Sequence, residues 1–127
     1  MKVKIYYHHT DCGGVVYYAN YLHFLEEART EFLSGHGIEI KELIDQGFFF
    51  VVSHQELDYK SPAAYGDTLE ISTELKDVSG VRINLEHRIE KPGGILVAEA
   101  KTTLAFISKD FRPKPIPAQM RQKFLKE

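Results

Sequence analysis

Over residues 20–34 the apolar side chains of Tyr21, Phe24, Leu25, Ala28, Phe32 and Leu33 recur at intervals of three and four, which gathers them on one face of a helix. Glu26, Glu27, Arg29 and Glu31 occupy much of the opposite, solvated side. Asn20 is placed to cap this helix, and Gly35 and Gly37 to stop it. A shorter helix is predicted over 39–46, with Ile40, Leu43 and Ile44 inward and Gly47 ending it. Ahead of the long helix, Val3, Ile5 and Tyr7 share one parity against Lys2, Lys4 and His8, which predicts a strand over 2–8. Thr10-Asp11-Cys12-Gly13-Gly14 then breaks it, because paired glycines permit backbone angles that substituted residues resist.

Beyond the helices the period changes to two. Phe48-Phe49-Phe50-Val51-Val52 is apolar on both parities, as expected of a strand buried on both faces or covered by a partner chain, and its extension runs to about Tyr59. Leu69, Ile71, Thr73 and Leu75 alternate with polar neighbours, and so do Val81, Ile83, Leu85, His87 and Ile89, with Ser79-Gly80 as the turn between the two runs. Pro92-Gly93-Gly94 supplies the next turn, and a last strand over 95–108 places Leu96, Ala98, Ala100, Leu104 and Phe106 on one face. Pro117 followed by Met120, Phe124 and Leu125 suggests a short terminal helix that is either docked or frayed. Strands joined by tight turns, without βαβ alternation, predict an antiparallel sheet packed on one helix, an α+β fold in a single domain spanning 1–127.

Composition narrows the function classes. The 127 residues carry 16 Lys and Arg against 18 Asp and Glu, a formal charge of −2, so no global field exists to recruit nucleic acid or an anionic bilayer. The tail from Lys109 is locally basic. One cysteine, Cys12, excludes an intrachain disulfide and a Cys-rich zinc site and suits a reducing compartment, so a cytoplasmic setting is expected. No run approaches the ~18 apolar residues of a membrane span, and the first residues lack the apolar middle of a secretory leader. Phosphate-binding glycine loops, paired metal-ligand spacings and a GxSxG elbow are all missing, and the six histidines are scattered, so neither cofactor nor metal is expected.

What remains as candidate chemistry is Asp11, in its glycine loop just ahead of the long helix. A free carboxylate there can attack an acyl carbon or activate water, while unpaired backbone N–H groups at a helix start can polarise a carbonyl. Those two parts suffice for a thioester, whose thiol leaving group has a pKa near ~8.5 and departs at neutral pH with little acid assistance. The competing reading is that Asp11 only closes an Asx-turn. Cys12 has no histidine set beside it by the sequence to make it a nucleophile.

Asp11-Cys12-Gly13-Gly14-Val15-Val16-Tyr17-Tyr18-Ala19-Asn20-Tyr21, followed by Phe24, Glu27, Ala28 and Arg29, resembles the signature of the 4-hydroxybenzoyl-CoA thioesterase family in its YbgC-type branch. Tyr59-Lys60-Ser61-Pro62-Ala63 with Asp67 and Leu69 is similar to the family's second motif, and residues 113–117 to its usual ending. The resemblance implies a hotdog fold, a curled antiparallel sheet of about five strands wrapped around one long helix. It implies an acyl-CoA thioesterase acting on short-chain, medium-chain or aromatic substrates, working as a homodimer or homotetramer with its sites at the dimer interface. Asp11 is then the catalytic carboxylate and the Tyr18 backbone N–H the oxyanion donor. Tyr7, Val16 and His23 are candidates to line the acyl or thioester end, with plain packing as the rival explanation for each. Many YbgC-type members carry histidine where this chain has Tyr18, so imidazole assistance is lost there, while a backbone role survives the change. A hotdog protein that dehydrates or merely binds thioesters, for instance on acyl carrier protein, is the alternative. Lys60, Arg82, Arg88, Lys91 and Lys101 are open candidates for the coenzyme A phosphates and are not assigned.

Overall fold

The computed structural model describes residues 1–125. Its elements run β1 (Lys2–Lys4), a 3-10 turn (Tyr7–His9), α1 (Asn20–Gly35), α2 (Ile40–Asp45), β2 (Phe48–Tyr59), β3 (Thr68–Val78), β4 (Arg82–Lys91), β5 (Ile95–Ser108) and α3 (Ala118–Leu125). The five strands form one antiparallel sheet in the order β1-β3-β4-β5-β2, curled around α1 in the hotdog arrangement. The long strands are where alternation and tight turns predict them, because period-two patterning allows only one register to bury the apolar face.

Tyr21, Phe24, Leu25 and Ala28 of α1 pack with Leu69, Ile71, Ile89, Ala98 and Ala100 of the sheet in one half of the core. Leu33 and Ile38 pack with Ile83, Leu85, Leu104 and Phe106 in the other half. The terminal helix is docked: Met120 and Phe124 are buried in that second half, Lys123 donates to the Gly37 carbonyl at 2.8 Å, and Arg121 donates to the carbonyls of Ser79 and Gly80. Leu125, on its far side, is exposed.

Three expectations are corrected, and a fourth that had two alternatives is narrowed to one. The first strand stops at Lys4, because the Ile5 N–H turns to the Asp67 carbonyl and the Ile5 carbonyl accepts from Gly66, both in the loop before β3. Ile5 is fully buried while Tyr7 is 77% exposed, so the parity that seemed to unite them is broken by that turn. Asn20 does not cap α1; its amide Nδ2 donates to the His9 carbonyl at 2.8 Å, and Ala19 stands at the N-cap without a side-chain bond. Ile44 faces solvent rather than the core, since α2 is only six residues long and lays Ile40 and Leu43 against the body. Finally, Phe48 to Val52 is not enclosed within this chain: β2 is the outermost strand, and four of those five residues are half-buried while Val52 is exposed.

Candidate active site

The glycine loop is built around the Asp11 carboxylate. Its Oδ1 accepts the Gly13 N–H at 2.8 Å, the Asx-turn the sequence allowed, and the second carboxylate oxygen is left without a protein donor among the described residues. A Cβ on residue 13 would meet that Oδ1 at 3.2 Å, and Gly14 has φ +82, so both glycines serve the loop's shape. The Asp11 N–H donates to the Val15 carbonyl, and an isolated bridge pairs Thr10 with Val16. Asp11 is exposed, so the turn costs it none of its access to solvent or ligand.

The loop is strapped to the start of α1 through one acceptor. The His9 carbonyl takes the Tyr17 N–H at 2.9 Å and the Asn20 amide at 2.8 Å, which holds the chain on both sides of the helix entry. His9 itself has Nδ1 accepting from the Tyr6 N–H at 2.9 Å, and burial, helped by neighbouring His8, pushes its pKa down, so the ring sits there neutral. At the entry the Asn20 N–H returns to the Tyr17 carbonyl and the Leu22 N–H to the Ala19 carbonyl. Among the described residues the N–H groups of Ala19, at the N-cap, and of Tyr18, just ahead of it, donate to no protein acceptor. Unpaired N–H groups at a helix N-terminus carry a partial positive charge.

The second sequence motif comes back to the same place. The Val16 N–H donates to the Ala63 carbonyl at 2.8 Å, Val15 bridges to Ala64, and the Ala64 N–H is in turn fixed by Asp67 Oδ2 at 2.9 Å. Tyr59, the last residue of β2, donates its hydroxyl to the Tyr18 carbonyl at 3.0 Å. Its ring stands 5.6 Å from that of Tyr21, edge to face, and burial raises its pKa, with Tyr18 adding to the shift. The Tyr18 side chain raises the pKa of Tyr17, and the Asp11 charge adds a smaller push in the same direction, which puts the Tyr17 phenol in the field of the carboxylate.

Of the residues singled out from sequence, Asp11 lies in the glycine loop and Tyr18 at the entry to α1, in segments tied together through the His9 carbonyl. Tyr7 lies in the 3-10 turn, its ring 6.0 Å from that of Tyr65. His23 is an exposed residue of the first turn of α1. Val16 is 4% exposed and packs in the core, so its side chain supports the loop from beneath. Sequence reasoning missed Tyr59 and Tyr17, although both stand inside motifs it quoted. Asp11 lines neither of two concavities described in the chain. One, of about 240 Å³, lies on the charged outer face of the sheet among Glu56, Glu86, Arg88 and Lys101. The other, of about 420 Å³, lies between α2, α3 and Phe48.

A family model described as the thioesterase-like superfamily matches residues 6–124. The chain belongs to that superfamily. An acyl-CoA thioester hydrolase, YbgC, from Escherichia coli is 34% identical over 123 residues, covering 96% of this chain and 92% of the relative. A probable thioesterase from Bartonella henselae superposes with a TM-score of 0.86 at 34% identity, covering 92% of this chain and 97% of that one. A 1,4-dihydroxy-2-naphthoyl-CoA thioesterase from Synechocystis superposes with a TM-score of 0.91 at 25% identity, over 99% and 94% of the two chains. Membership of the thioesterase-like superfamily agrees with the element order and the curled sheet. Among the described residues no helix is long and apolar enough to cross a membrane.

Proposed function

We infer that this protein is an acyl-CoA thioesterase that hydrolyses a short-chain, medium-chain or aromatic acyl-CoA to the free acid and coenzyme A. Asp11 is the reacting carboxylate. Either its free oxygen attacks the acyl carbon, expels the coenzyme A thiolate and leaves a mixed anhydride that water opens, or it takes a proton from the water that attacks directly. In both courses the carbonyl oxygen gathers negative charge, and the Tyr18 N–H at the start of α1 donates to it; one such donor is typically worth about 3 kcal/mol. Tyr7 and His23 flank the acyl or thioester end, and Val16 holds the loop under Asp11.

What supports the reading is one arrangement: an exposed carboxylate in a rigid glycine loop tied through the His9 carbonyl to a helix start whose first N–H groups are unpaired. The outer strand β2, apolar and half-buried in one chain, is the edge through which two copies join their sheets into a homodimer, with further pairing into a homotetramer. The reading also includes a cytoplasmic setting, where the exposed Cys12 stays reduced.

Free-thiol release from a panel of short, medium, long and aromatic acyl-CoAs, with acyl carrier protein thioesters alongside, tests the assignment. Turnover of at least one acyl-CoA is expected. Calorimetric binding across the panel without any thiol release would replace the hydrolase with a non-hydrolytic thioester binder.

A further inference from the structure

The helix entry holds two unpaired N–H groups, and they are fixed by different means. The Tyr18 N–H belongs to the Tyr17–Tyr18 peptide, whose carbonyl accepts the Asn20 N–H at 2.9 Å, so the helix itself orients it. The Ala19 N–H belongs to the Tyr18–Ala19 peptide. The carbonyl of that peptide accepts from no backbone N–H among the described residues, because the Leu22 N–H that would ordinarily reach it goes to the Ala19 carbonyl at 3.1 Å. Its partner is the Tyr59 hydroxyl at 3.0 Å, brought from the far end of β2 across 41 residues of sequence. A peptide is planar and trans, so its C=O and N–H point in opposite directions as one rigid unit. Holding the oxygen therefore aims the N–H. The Asn20 N–H to Tyr17 carbonyl bond closes a turn around Tyr18 and Ala19, and inside such an i to i+3 turn the two central N–H groups point to the same side.

We propose that Tyr59 is a positioning residue, whose hydroxyl locks the Tyr18–Ala19 peptide so that the Ala19 N–H stands beside the Tyr18 N–H as a second donor to the developing oxyanion. The proposal deepens the thioesterase reading and rests on it for the identity of the oxyanion. Tyr59 touches no reacting atom; it acts through the carbonyl it holds. The phenol is anchored for this purpose, since its ring lies edge to face against the buried Tyr21 ring at 5.6 Å and 6.5 Å from that of Tyr18. A phenylalanine keeps those ring contacts and removes only the donor.

Tyr59→Phe is the test, read in two ways on the full chain. Against the best acyl-CoA of the panel, kcat is expected to fall about 10-fold or more while KM stays within about twofold, because the lost interaction is made in the transition state and not with bound substrate. The pH profile keeps its shape, since the carboxylate is untouched. Equal activity of Tyr59→Phe and wild type, or a loss confined to KM, overturns the proposal. In parallel, the amide order parameter of Ala19 by nuclear magnetic resonance is expected to drop from the rigid range near ~0.85 toward ~0.6, with the thermal midpoint unchanged. An unaltered Ala19 amide overturns the clamp whether or not any thioester turns over. If wild type hydrolyses nothing on the panel, the thioesterase reading fails by itself, and the amide measurement alone decides the clamp.

Discussion

Asp11 shows how far a single residue can be read. Its loop position and its Asx-turn both follow from the local sequence, because turn chemistry is decided within a few residues. Tyr59 was not legible in the same way: its bond to the Tyr18 carbonyl joins residues 41 apart, and no period or spacing encodes such a contact. His87 is a third case. Alternation places it on the inner face of β4 among Leu85 and Ile89, and it is 2% exposed there, with Nδ1 3.0 Å from the Thr73 hydroxyl and Nε2 without a partner among the described residues. Burial, reinforced by the Arg29 charge across the helix–sheet layer, pushes its pKa down to about 4. The folded value lies below the unfolded one, so as pH falls the unfolded chain binds the proton first. The stability present above about pH 6.5 is then lost toward pH 4, on the order of 3 kcal/mol in all. Urea denaturation at pH 7 and pH 4.5 checks this, and His87→Leu should remove most of that pH dependence. A wild-type midpoint that does not move over this range would show that the ring is not held neutral.

Elements were the most legible level, and their failures are instructive. The helix α1 and the strands β3, β4 and β5 announce themselves because long segments repeat their period several times. Short ones do not. β1 ends after three residues since the Ile5 N–H finds Asp67, a competitor outside the strand's own pattern, and α2 is too short for its apolar residues to define a face. β2 is the informative exception: its run of five apolar residues matches neither a solvated edge nor a strand enclosed by its own chain, and the proposed pairing with a second copy would cover it. A charge on such an edge opposes strand pairing. Val52 is 43% exposed within one chain, so Val52→Lys should leave the fold intact while shifting the protein toward monomer. Light scattering at micromolar concentration reads the result, with a dimer or tetramer expected for wild type. Wild type running as a clean monomer would remove the sheet-joining account and the interfacial site with it.

On the scale of the whole molecule, the two motifs quoted from sequence serve one construction. The glycine loop enters α1, the 59–69 segment returns beneath it through the Val16 to Ala63 bond and the Val15 to Ala64 bridge, and the end of β2 closes over the helix entry through Tyr59. The near-neutral charge of −2 offers no long-range attraction for an anionic substrate, so coenzyme A has to be held by local cations. The acyl preference was illegible for a physical reason: Asp11 lines neither the concavity on the outer face of the sheet nor the one between α2 and α3, and the depth of an acyl pocket at the proposed dimer interface is not encoded in one chain's pattern. The central claim is that the Asp11 carboxylate performs chemistry and does not merely shape its loop. Asn supplies an amide oxygen where the carboxylate Oδ1 closes the Asx-turn and removes the charge, so Asp11→Asn separates the two roles. Thiol release by that variant, measured beside wild type on the same acyl-CoA, should fall by about 10²-fold or more with an unchanged thermal midpoint. Full activity in Asp11→Asn would contradict the account.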